Sequence, residues 1–246
     1  YPLLFQEGIN IYEMAQLLEN RGFGTAQQFL QLVHDKELIQ KLLQAPLSSL
    51  EGYLFPETYH LTKYTTQREL IEKMVQRFLV VWGELHLPTQ VDWRERHKIV
   101  TLSSIVEKET GVPEERARVA AVFRNRLIKG MRLQSDPTIL YGMMELDGKM
   151  KLNITRKDIE TYTPYNTYRV NSLPSGPICN PGKGAIQGVL HPESSPYLYF
   201  VSRNDGTHFF SETLEKHNQA VRHFQLDRHQ RESKSWRDRL PSKQAR

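Results

Sequence analysis

Apolar side chains return every three or four residues through the first half of the chain. Met14, Leu17 and Leu18, then Phe29, Leu30 and Val33, then Leu38, Ile39 and Leu42 predict successive helices between Ile11 and Leu43, with Thr25 as a cap for the second. A further helix over about 67–85 aligns Leu70, Met74, Phe78 and Val81, and Pro88 is expected to close it. The next spans roughly Arg94 to Thr110 and stops at Gly111; Pro113 then opens a helix that ends before Gly130. Two stretches break the period. Residues 51–59, aromatic and acidic with interspersed Gly and Pro, read as an irregular segment lining a surface, and residues 131–192 predict short elements only. Alternating runs at 197–202 and 207–211 around Asn204-Asp205-Gly206 predict a hairpin, followed by a last helix from about Glu212. The sum is an α+β fold, mainly helical, with a small β element.

One helix carries a carboxylate on its apolar face. Over 99–110, Leu102, Ile105 and Val106 set the apolar stripe, and Glu109, three residues after Val106 and seven after Leu102, falls on it. Lys108 points away and Glu107 lies at the edge, so Glu109 alone of the two glutamates is expected to turn inward. Burial disfavours its ionised form. The negative end of the helix dipole adds to that effect. A glutamic acid held protonated near neutrality is the equipment of a general acid.

Composition narrows the choice of chemistry. The 246 residues are 39% hydrophobic and 25% charged, as in an ordinary folded protein. The longest apolar run, Phe78–Trp82, is too short to cross a bilayer. A single cysteine, Cys179, rules out an internal disulfide, and no Cys/His spacing suggests a metal; the nine histidines show no catalytic pattern. The net charge of +5 is carried by residues 222–246, with eight Lys/Arg against three Asp/Glu. The rest of the chain is neutral and offers no basic face for nucleic acid. The chain opens at Tyr1-Pro2-Leu3 without a methionine or signal peptide, and is expected to be a fragment or processed product.

Several separated blocks then carry a resemblance. They are EGYLFPETY at 51–59, SIVEKET at 104–110, VFRNRL at 122–127, MRLQSDPT at 131–138, YNTY at 165–168, LPSGPI at 173–178, NPG at 180–182 and YLYFV at 197–201. In this order they make the chain resemble the YceG-like (MltG) family of endolytic murein transglycosylases. Small departures are Ser172 and Ser175, where the family tends to carry Gly and Pro, and Ser103, where it often has Ala. The resemblance implies a helical N-terminal segment over 1–46 left from a LysM-like region, a catalytic domain over 47–225 and a basic polar tail over 226–246. It implies a lyase that cuts between N-acetylmuramic acid and N-acetylglucosamine within the peptidoglycan strand, leaving 1,6-anhydro ends, so that cutting sets strand length.

The family's catalytic glutamate maps onto Glu109. It would protonate the glycosidic oxygen, then deprotonate the muramyl C6 hydroxyl, which attacks C1. No second carboxylate, metal or cofactor is required. Gln134, Ser135, Asp136 and Thr138 are candidates to bind sugar hydroxyls and N-acetyl groups, with a helix start at Ser135-Asp136-Pro137 as an equal reading of Asp136. Tyr165, Asn166 and Tyr168 offer aromatic faces and an amide. Glu57 is expected either to orient a loop or sugar, or to sit solvated in a turn. Arg124 and Arg126 are expected to be structural. The implied partners are peptidoglycan strands and cell-wall glycan synthases (penicillin-binding proteins). The implied place is the extracytoplasmic side of the inner membrane, through a single-pass anchor lying outside this sequence. The rival readings are a muramidase that adds water, and a wall-glycan-binding protein that does not cut.

Overall fold

The computed structural model describes residues 1–85, 91–148, 151 and 153–227. Pro88 and most of the basic tail, residues 228–246, therefore lie outside the described residues. Helix α1 (Ile11–Asn20) starts at a capping box, in which Asn10 Oδ1 accepts from the Glu13 N–H and Glu13 accepts from the Asn10 N–H. Thr25 with Gln28 starts α2 (Ala26–Val33) in the same way, as its sequence predicts. Asp35 caps α3 (Lys36–Leu43), and Thr66 with Glu69 caps α4 (Gln67–Glu84). Strand β1 (Pro2–Leu4) pairs antiparallel with β2 (Thr58–His60), with Leu3 opposite Tyr59.

The central element is α5 (Trp93–Glu109), because its two halves belong to two cores. Val100 belongs to the same core as Met14, Leu18, Phe29, Ile39, Met74 and Phe78, which α1–α4 contribute. Leu102, Ile105 and Val106 enter a second core with Val119, Phe123, Leu133, Tyr141 and Ile178. The first core runs across residue 46 without a break. Helix α6 (Arg116–Ile128) follows a 3₁₀ turn at Pro113–Glu115, and α9 (Lys183–Leu190) packs against both α5 and α6. The hairpin β3 (Tyr199–Ser202) and β4 (His208–Ser211) sets Phe200 opposite Phe210. Helix α10 (Leu214–Val221) starts two residues later than expected, because the Thr213 hydroxyl caps it at Lys216 N.

Two expectations are corrected. Residues 131–192 contain a twelve-residue helix, α7 (Asp136–Asp147), besides the short α8 (Arg156–Glu160) and α9. Helix α7 hides its period because it buries Thr138, Ile139, Tyr141, Gly142, Met143 and Met144, leaving no clean polar face. Gly142 lets the chain near Thr163 pass so closely that a Cβ would lie 2.2 Å from Thr163 Oγ1. The 51–59 segment is likewise not a surface lining: residues 51–56 are all buried.

Glu51 and Asn180 tie that segment down. Asn180 Oδ1 accepts from the Gly52 and Leu54 N–H groups, both at 2.9 Å, while its amide donates to Ile9 O and Glu51 Oε1. Glu51 Oε2 accepts from Ile11 N and from the Tyr141 hydroxyl, both at 3.0 Å. Burial pushes the Glu51 carboxyl up to about 8, against these donors. Gly52 takes φ +86° there, where a Cβ would meet Pro177 Cγ at 2.5 Å. Truncating Asn180 would strand two buried N–H donors and one carboxyl partner. Asn180→Ala is therefore expected to cost at least about 2 kcal/mol; a urea midpoint corresponding to less than about 1 kcal/mol would contradict this account of the knot.

Candidate active site

Helix α5 ends on Glu109, and Thr110 at its C-cap turns extended. Glu109 opens onto a cleft of about 290 Å³, lined by Glu109, Arg126, Leu133, Gln134, Asp136, Tyr168, Phe200 and His217. The side chain is partly accessible at the cleft floor, with the second core behind it. Its carboxyl Oε1 accepts a 2.5 Å hydrogen bond from the Ser135 hydroxyl.

Ser135 occupies the N-cap position of α7, yet its hydroxyl makes no capping bond. Such a serine ordinarily bonds the second or third helical N–H; here it is turned to the carboxyl instead. The serine backbone is clamped while this happens. Its N–H donates to Thr167 Oγ1 at 2.9 Å and its carbonyl accepts from Thr138 Oγ1 at 2.6 Å. Gln134, just before it, is left-handed at φ 53°, which costs a non-glycine residue about 1 kcal/mol or more. The bond to Thr167 O from Gln134 N helps hold that turn.

Charge and burial pull Glu109 in opposite directions. Burial of the carboxyl is the largest effect and the Asp136 anion adds to it, while the Ser135 hydroxyl and the Arg126 cation favour the ionised form; together they leave the carboxyl raised to about 7. Neither protonation state is out of reach near neutrality, as a group that must serve first as acid and then as base requires.

The predicted site residues separate into those that line the cleft and those that stand behind it. Gln134, Asp136 and Tyr168 line it with Glu109, and the Tyr168 hydroxyl donates to Asp136 Oδ1 at 2.7 Å. Ser135 touches the carboxyl. Thr138 is fully buried, its hydroxyl spent on Ser135 O and Thr167 Oγ1, so it shapes the α7 start and is not placed to meet a sugar. Asn166 is buried too. Its amide donates to Asp158 O, Ile159 O and Thr161 O, and its Oδ1 accepts from Tyr168 N, so it places Tyr168. Tyr165 packs on Tyr141, ring centres 4.8 Å apart, outside the cleft lining. Glu57 forms an exposed ion pair with Arg77 at 2.8 Å, also away from the cleft.

Glu107 departs from the expectation that only Glu109 turns inward. Its side chain is 6% exposed. Arg116 at 3.0 Å and the Gly182 N–H at 2.9 Å satisfy it, which is how a second carboxylate is tolerated there. Arg126 is structural and also part of the cleft. Its Nε donates to Leu198 O and its Nη1 to Leu133 O, each at 2.7 Å. The same wheel that isolates Glu109 could have found it, since Arg126 follows Val119 and Phe123 by seven and three residues on the buried face of α6. Phe200 and His217 arrive from β3 and α10 through tertiary packing and carry no local signal. Among the described residues no group of three His, Cys, Asp or Glu is placed to hold a metal ion.

A family model described as the YceG-like family matches residues 1–223. This chain belongs to the YceG-like family. It is 38% identical over 172 residues to an endolytic murein transglycosylase of Bacillus subtilis (strain 168), covering 70% of this chain and 47% of that protein. It is 32% identical over 244 residues to an endolytic murein transglycosylase of Streptococcus pneumoniae serotype 2 (strain D39), covering 89% and 44%. The crystal structure of a yceG-like protein from Listeria monocytogenes superposes with a TM-score of 0.80 at 34% identity, over 89% of this chain and 75% of that one. The chain spans about half the length of the curated relatives it matches.

The raised Glu109 carboxyl has a consequence for stability. Between the ordinary value near 4.5 and about 7 the folded chain keeps a proton that the unfolded chain has lost, so stability falls as pH rises through that window. Glu109→Gln removes the titration and keeps an acceptor for Ser135. The variant is expected to be more stable than the parent at pH 8, by ~1–3 kcal/mol, with the gap closing below about pH 4.5. Equal urea midpoints at pH 8 would contradict a buried, raised carboxyl.

Proposed function

We propose that this chain carries the catalytic region of an endolytic lytic transglycosylase, a lyase cutting the MurNAc–GlcNAc bond within peptidoglycan strands. The observation that carries the reading is the Glu109 carboxyl, raised by burial and held by a serine diverted from its helix cap, at the floor of an open cleft. The names of the B. subtilis and S. pneumoniae relatives support the same activity. Protonated Glu109 gives its proton to the glycosidic oxygen as the bond to C1 breaks. The carboxylate, stabilised by Ser135 and by the charge of Arg126, then takes the proton of the muramyl C6 hydroxyl as that oxygen bonds to C1. The substrate supplies the nucleophile and the enzyme ends protonated as it began. Gln134, Asp136 and Tyr168 contact the sugars, while Thr138 and Asn166 hold that wall in shape.

Asp136 gives the hydrolytic rival one specific support, because a second carboxylate does line the cleft. A muramidase would use it to activate water. The bond from Tyr168 and its place on the first turn of α7, where the helix dipole favours an anion, suit Asp136 better as a fixed carboxylate that binds substrate and raises Glu109.

The biological setting follows from the same reading. Work on nascent strands, beside cell-wall glycan synthases, would let cutting set strand length. The site of action would be extracytoplasmic, with attachment to the inner membrane through a segment outside this sequence. No helix among the described residues is long and apolar enough to cross a membrane.

Digestion of uncrosslinked glycan strands, read by mass spectrometry, tests the proposal. Internal fragments with anhydro ends, one water lighter than reducing ends, are expected from the parent, with at least a ~10³-fold loss in Glu109→Gln. Reducing ends would establish a hydrolase, and binding without products in either form would establish a non-cutting wall-binding protein. A second test uses pH. The first step needs protonated Glu109, so kcat/KM is expected to fall above about pH 7. Ser135→Ala removes a donor to the carboxylate and is expected to move that limb to higher pH while lowering kcat about 10- to 100-fold; a limb that stays in place or moves down would contradict the role given to Ser135.

A further inference from the structure

The chemistry above leaves one polar group on the cleft wall unused. His217, on α10, lines the cleft, and its ring stacks on Tyr199 with centroids 5.3 Å apart. Its Nδ1 is buried without a hydrogen-bond partner among the described residues. Burial lowers its tendency to protonate, and the neighbouring Arg126 cation lowers it again, so the ring is neutral in the working range. A neutral imidazole carries one N–H. An orphaned buried acceptor is better tolerated than an orphaned donor, so the proton belongs on Nε2, and Nδ1 keeps its lone pair. That tautomer leaves Nε2–H as the donor the ring can offer to an occupant of the cleft. The Tyr199 stack restrains the ring beforehand, and Arg126, 5.2 Å from the same tyrosine ring, favours an electron-rich ligand atom nearby. Phe200 adds apolar surface to the same cleft.

We propose that His217 is a substrate-contacting residue that donates a hydrogen bond to an amide carbonyl oxygen on the glycan. The assignment rests on the glycan-cutting reading of the cleft. A glycan strand of this kind presents such oxygens in two settings, the N-acetyl group of either sugar and the lactyl amide of the muramyl residue. The acetamide pairs its carbonyl with a methyl group that Phe200 can cover.

The full chain carrying Glu109→Gln, which holds a strand without cutting it, allows the contact to be measured as binding. Its affinity for chitotetraose, which has N-acetyl amides alone, and for uncrosslinked murein strands is compared with and without His217→Phe, which keeps the stack and removes the donor. A loss of about 3- to 10-fold for both ligands is expected if the N-acetyl group is the acceptor, and for murein strands alone if the lactyl amide is. His217→Gln, which retains an N–H, is expected to recover most of the loss. Unchanged affinity for both ligands overturns the proposal. Murein cleaved by the parent chain while the His217→Phe variant binds normally would overturn it and leave the glycan reading standing. Binding of neither ligand, with no cleavage by the parent, would sink the glycan reading and this inference with it. Should His217→Phe fail to fold, ¹⁵N spectra of the histidine rings in the Glu109→Gln chain serve instead, with His217 assigned from His217→Gln. A shift of its ring nitrogens on adding either ligand is expected, and unmoved signals overturn the contact.

Discussion

A carboxyl group at the carboxyl-terminal end of a buried helix is placed where both desolvation and the helix dipole oppose its charge. Among the described residues Glu109 has no direct ion pair. A short bond from Ser135 holds the carboxyl, and Arg126 supplies its charge at a distance while its Nε and Nη1 bond backbone carbonyls. A direct salt bridge would favour Glu109 as an anion and work against the acid role proposed for it. Glu107, two residues earlier, is paired in that way: Arg116 and the Gly182 N–H oppose the rise that burial gives its carboxyl, and the pair locks α5 against α6 and α9. The same helix turn thus carries one carboxylate committed to structure and one kept between protonation states.

Much of the fold exists to make that geometry hold. Helix α5 spans both cores, so Val100 in the core shared with α1–α4, and Leu102, Ile105 and Val106 in the other, fix the axis along which Glu109 is delivered. Helix α7 delivers Ser135 from the other side, and the Thr138–Thr167 pair clamps the serine backbone so that its hydroxyl is spared for Glu109. Tyr141 on α7 also donates to Glu51, which links α7 to the α1 start and, through Asn180, to the 51–54 segment. A disturbance of the Asn180 knot therefore reaches the element that holds the Glu109 carboxyl.

The sequence makes α1–α6, the hairpin and Glu109 legible, because each depends on local period, on caps such as Thr25, or on a charged residue falling on an apolar stripe. Helix α7 escapes that kind of reading because burial on most sides erases the polar face from which a period is read. The 51–59 segment looks like a surface loop by its Gly, Pro and Glu content, and only Asn180, some 130 residues away, shows how its polar groups are satisfied inside. Among site residues, Asp136 and Tyr168 were recognisable as cleft groups. Asn166 and Thr138 stand in the same motifs but are buried and bonded within the protein, since a short motif does not say which of its side chains face inward. His217 could not be found at all without the fold.

The most direct test of the account is the titration of the Glu109 carboxyl itself, followed through its ¹³Cδ signal by NMR, with Glu109→Gln to assign it. The account predicts a midpoint near 7 in the free protein. A midpoint near the ordinary value of about 4.5 would mean that the cleft holds an anion at neutral pH, and that Glu109 could not supply the proton on which the proposed cleavage depends.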